Sequence, residues 1–87
     1  MFFYKKKDLL SKKVKEQFFI VNQEKGTIVN LNEVSFFIWE SLNKSCSLDD
    51  LVKSLTKEYD VDKNEAKIDI EDFLKVALKS GIIEKIK

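Results

Sequence analysis

The hydrophobic period of this chain changes once, at Leu31, and that change limits the fold more than any other feature. Before it come two short runs of aromatic and β-branched residues, Phe18-Phe19-Ile20-Val21 and Thr27-Ile28-Val29-Asn30-Leu31, separated by polar Asn22 to Lys25 and Gly26. Such runs around a glycine-closed loop predict a β-hairpin, with Gly26 at a position of positive φ. Leu9 to Lys15 supplies a candidate third strand, because an isolated hairpin is marginal in water and needs cover.

After Leu31 the apolar residues recur at helical spacing. Asn32 is the expected N-cap of a first helix whose stripe is Val34, Phe37, Ile38 and Leu42, widened by Phe36 and Trp39. Ser47 and Asp50 form a capping-box pair ahead of Leu48, Leu51, Val52, Leu55 and Tyr59. Asp62 and Glu65 repeat the start signal before Ala66, Ile70, Phe73, Leu74, Ala77 and Leu78, and Gly81 stops that helix as a left-handed C-cap. Strands followed by three helices make a small α+β domain, expected to occupy residues 1–87 as one unit.

Composition excludes several functions. All sixteen cations are lysines against fifteen acids, and with no arginine and a net charge of +1 the chain lacks the footprint of a nucleic-acid binder. No histidine is present to serve as general base or metal ligand. No apolar run approaches the length of a membrane span. Asp60, Asp62, Asn64 and Glu71 have calcium-loop offsets, but Glu65 stands where such a loop needs glycine, so capping accounts for them better. Cys46 has no base to activate it and reads as an ordinary loop cysteine. Asp49-Asp50 and Glu71-Asp72 read as solvated helix faces, Phe36, Phe37 and Trp39 as core, and Lys5-Lys6-Lys7 with Lys12 and Lys13 as a solubilising edge. No catalytic residue, cofactor or metal is expected, and the chain is read as cytoplasmic.

What survives is an open sheet edge. The strand Thr27 to Leu31 need not be covered by the chain itself, and an extended peptide can add to such an edge. Small Ala66 and Ala77 beside large Ile70 and Phe73 on the third helix leave room for a groove next to it.

The stretch from Ile28 to Leu42, with its Leu31-Asn32 pair and Trp39 and Leu42 at the later positions, resembles the signature of the PqqD-like family, the recognition elements of ribosomally made, post-translationally modified peptides (RiPPs). Ser47 to Asp60 and Ile68 to Ile83 are similar to the second and third helices of that family, so the resemblance covers about residues 10 to 84. The chain departs from the pattern at bulky Val34-Ser35-Phe36 and at Asn43-Lys44, where the family often has glycine.

The resemblance implies a winged-helix-like fold, with a three-stranded antiparallel meander ahead of three helices. It also implies a non-catalytic role: binding the leader of a precursor peptide as an added strand and presenting the core segment to a modifying enzyme, such as a radical or protease-type maturase. It implies that Thr27, Ile28, Val29, Asn30 and Leu31 give main-chain bonds, and proline at Val29 is expected to abolish binding while the domain stays folded, because an edge N–H is removed. Ile70, Phe73, Leu74 and Ala77 would line pockets, and Lys67 and Lys75 would attract acids in the leader. A winged-helix DNA-binding regulator is the alternative reading, disfavoured by Asp69, Glu71 and Asp72 on the third helix. The apolar start Met1-Phe2-Phe3-Tyr4 and the exposed edges leave a homodimer open.

Overall fold

The computed structural model describes residues 1–86. Its elements follow the order β1 (Phe2–Lys5), β2 (Leu10–Val14), β3 (Gln17–Asn22), β4 (Thr27–Leu31), α1 (Glu33–Ser41), α2 (Leu48–Glu58), α3 (Lys63–Ser80) and β5 (Ile83–Ile86). The expected meander is β2-β3-β4, antiparallel throughout, and the three helices fall where the apolar period puts them.

Local chemistry explains most boundaries. Asn32 accepts the Ser35 amide at 2.8 Å and starts α1. Ser47 and Asp50 make both bonds of a capping box, at 3.1 and 3.0 Å, at the head of α2. The Asp62 carboxylate accepts the Asn64 amide at 3.1 Å to start α3, and Gly81, at φ 76°, closes it in the left-handed region. Gly26, at φ 68°, closes the β3–β4 loop. The two-residue turn between β2 and β3 sets Lys15 at φ 59°, a sign that tight hairpin turns demand and that glycine usually supplies.

The bonds from Ser47 to the Asp50 carboxylate hold its pKa below the ordinary 3.8. A depressed folded-state value means a stabilising contribution that is complete above the unfolded pKa and is lost as pH falls through the folded one. Thermal midpoints of the wild type and Asp50→Asn are therefore expected to differ at neutral pH and to converge as the solution is taken well below pH 3.8.

One pairing lies beyond the reach of local patterns. β1 pairs antiparallel with β5, Phe2 opposite Ile86 and Lys5 opposite Ile83, in a second, two-stranded sheet. The apolar start thus has a partner within the chain. The other flank of β1 meets the α1–α2 connection, where Phe3 and Cys46 exchange backbone bonds at 2.8 and 2.9 Å and the Lys5 amide donates to the Leu42 carbonyl at 3.0 Å. Cys46 is buried, and burial together with the nearby Asp50 charge raises its thiol pKa, so it is a packing residue.

A continuous core joins Phe3, Ile20, Leu31, Ile38, Trp39, Leu42, Leu51, Leu55, Ile70, Phe73, Ala77 and Ile82. Phe36 is half-buried and stacks on Phe18 at 4.1 Å between centroids, tying α1 to β3. Lys5 corrects the solubilising reading of its run: its ammonium lies 4.0 Å from the Trp39 ring centroid and 3.3 Å from Glu40.

Candidate functional site: an open strand beside the third helix

β4 ends the three-stranded sheet, with β3 on one side and no strand on the other. Its two ends are tied to different elements. At the first, Asn22 Nδ2 donates to the Gly81 carbonyl at 3.1 Å, and the Lys25 side chain lies against Gly81. At the second, β4 runs straight into α1, where Phe37 meets Tyr59 edge-on at 5.5 Å, just ahead of the α3 N-cap. Between these ends β4 packs on β3 and α1, while α3 packs on α2, α1 and β5. The free side of β4 therefore has no strand paired to it.

Register decides which backbone groups face it. In an antiparallel ladder, alternate residues turn both N–H and C=O to the same side. The two-residue turn makes Val14 and Gln17 a hydrogen-bonded pair, so Gln17, Phe19 and Val21 bond to β2. Phe18, Ile20 and Asn22 must then bond to β4, through Leu31, Val29 and Thr27. The outward amides and carbonyls on β4 belong to Ile28 and Asn30. This corrects the expectation for Val29, whose amide serves the β3–β4 ladder; the parity of a turn two strands away decides it.

The side chains divide similarly. Leu31 is buried, Thr27 and Val29 are half-buried on the core side, and Ile28 and Asn30 are exposed, Ile28 at 68%. Asn30 Nδ2 donates to Gln17 Oε1 at 3.0 Å across the sheet, and Thr27 Oγ1 is buried with no hydrogen-bond partner.

On α3, Ile70 and Ala77 lie wholly in the core, and Phe73 and Leu74 are almost as enclosed, each 6% exposed. Leu74 and Lys75 line a different cleft, of about 460 Å³, with Met1, Phe3, Leu48, Glu71 and Leu78. At 3.6 residues per turn, exposed Lys67 shares that flank. The predicted set is thus split: Lys67, Leu74 and Lys75 belong to the flank under β1 and α2. The opposite flank of α3 carries Asp69 and Val76, and Val76 is 56% exposed. Sequence reasoning passed over Val76 because it falls outside the apolar stripe. An aliphatic residue off the stripe was the available signal.

The geometry defines a class: a small α+β domain whose three-stranded sheet ends in an unpaired strand just ahead of its three helices. The chain belongs to the PqqD family, described as coenzyme PQQ synthesis protein D, whose pattern matches residues 17–83. No curated protein sequence matches it. Its fold is similar to that of TbiB1 in complex with the TbiA(beta) leader peptide, with a TM-score of 0.80 and 21% identity over 97% of this chain and 98% of that one. It is equally similar to lasso peptide synthetase B1 complexed with the leader peptide, with a TM-score of 0.78 and 20% identity over 95% and 98%.

Proposed function

We propose that this protein captures the leader segment of a ribosomally made precursor peptide as a fourth strand on the β2-β3-β4 sheet, and so delivers the core segment to a modifying enzyme. The observation that carries this reading is the free edge of β4, tied through the β3–β4 loop to the end of α3 and offering the backbone groups of Ile28 and Asn30. Main-chain pairing supplies affinity, and exposed Val76 on α3 is the candidate apolar seat for a side chain of the leader. Both solved structures similar in fold hold leader peptides. Delivery needs no catalytic group here: tethering the precursor raises its effective concentration at the enzyme.

The other sheet edge suits this role less well. β2 carries Lys12 and Lys13 at its centre, a common protection against strand pairing, whereas β4 carries no charge.

Amide hydrogen exchange tests the assignment. With a leader peptide bound, the amides of Ile28 and Asn30 are expected to gain protection, while that of Val29, already paired with β3, changes little. Protection gained on β2 instead, or at neither strand, would overturn the reading.

A further inference from the structure

We infer that, without a peptide, the free edge of β4 pairs with the same edge of a second copy of this chain, so that self-association and peptide capture compete for one set of backbone groups. The competition rests on the strand-addition reading above; the pairing follows from the edge itself.

A two-fold contact between identical antiparallel strands must join outward residues to outward residues. On β4 these are Ile28 and Asn30. The register that pairs the whole strand therefore sets Ile28 opposite Asn30 of the second copy, Thr27 opposite Leu31, and Val29 opposite itself on the axis. Each Ile28–Asn30 pair exchanges two main-chain bonds, about four for the contact. No like charges meet, because β4 carries none. Carried past both ends, the same register brings Lys25 of each copy toward Glu33 of the other. Both residues are exposed, and the salt bridges among the described residues join Lys5 to Glu40 and Lys6 to Glu24, leaving this pair available.

β2 and β5 also end their sheets, but neither is complementary to itself. Ser11 and Lys13 face outward on β2, and its full register sets Lys12 against Lys12, which is destabilising. On β5 the Ile82 carbonyl accepts the Lys6 amide at 3.2 Å, so Glu84 and Ile86 bond to β1 while Ile83 and Lys85 face outward. Its full register joins outward to inward residues, and the nearest permitted ones set Glu84 on Glu84 or Lys85 on Lys85. A contact of one short strand per copy is far smaller than a stable interface, so the β4 pair is weak enough to yield to a peptide.

Sedimentation of the full chain from micromolar to millimolar concentration is expected to show a reversible dimer, weakened about tenfold or more in Ile28→Pro. Lys25→Glu and Glu33→Lys are each expected to weaken it about fivefold at low salt, and Lys25→Glu/Glu33→Lys to restore it. A chain monomeric throughout, a dimer unmoved by Ile28→Pro, or no rescue in the charge swap overturns the inference and leaves strand addition intact. A peptide selected on the full chain from a displayed random library is expected to dissociate the dimer while protecting the Ile28 and Asn30 amides. Protection with the dimer intact overturns the competition. A peptide that binds and protects neither amide removes the strand-addition reading and leaves the pairing standing.

Discussion

An Ile28→Pro variant is expected to keep its fold and lose about tenfold or more in peptide affinity. Ile28 turns its amide away from β3, so proline there removes no ladder bond of the free protein, and its exposed side chain contributes little packing. For an incoming strand the same change deletes one donor and sets a pyrrolidine ring against the partner backbone. A single hydrogen bond contributes roughly 0.5–1.5 kcal/mol net, and steric exclusion along the strand adds to that. Every 1.4 kcal/mol is about tenfold in Kd. Anisotropy titration measures the affinity, and circular dichroism melting confirms the fold. Val29→Pro is the contrasting variant: its amide belongs to the β3–β4 ladder, so it is expected to lose at least the roughly 0.5–1.5 kcal/mol of one hydrogen bond before any peptide is added.

Asn22→Ala is expected to cost about 2–3 kcal/mol in denaturant unfolding and to weaken peptide binding as well. Asn22 is the buried polar residue of the core, 2% exposed. Its Nδ2 donates to the Gly81 carbonyl at 3.1 Å, and its Oδ1 accepts the Lys25 amide at 3.2 Å. Alanine leaves both groups without that partner, and an unsatisfied buried polar group costs about 1–3 kcal/mol. The bonds also tie the β3–β4 loop to the end of α3, so their loss frees the loop that leads into β4. Asn22→Asp keeps the acceptor but sets a carboxylate against the Gly81 carbonyl oxygen, and is expected to destabilise at least as much.

The sequence made the local grammar of this fold readable, because each signal acts within one turn. Asn32, Ser47 with Asp50, Asp62 and Gly81 lie at the helix ends their chemistry demands, and Gly26 closes the hairpin loop. The edge position of β4 was legible too, since a meander must end somewhere. The β1–β5 sheet was not: its register joins Phe2 to Ile86, and nothing within a window of a few residues records such a pairing. The two faces of α3 were equally hidden. Periodicity separates inside from outside, but which flank meets β4 and which meets β1 depends on tertiary placement. Lys75 was therefore grouped with β4 although it lines the cleft beside β1, while Val76 went unnoticed. Parity along β4 came from a turn two strands away, beyond any reading of the strand alone.

Because Phe2 and Ile86 are cross-strand neighbours, the polypeptide is nearly a closed ring. A linker of a few residues joining its extremities would complete that ring, and cutting it instead within the exposed stretch Asn43 to Ser45 would give a circular permutant with α2 leading and β4 undisturbed. A protein joined ahead of Phe2 or after Ile86 would likewise depart from the β1–β5 sheet rather than from the β2-β3-β4 sheet that carries the free edge.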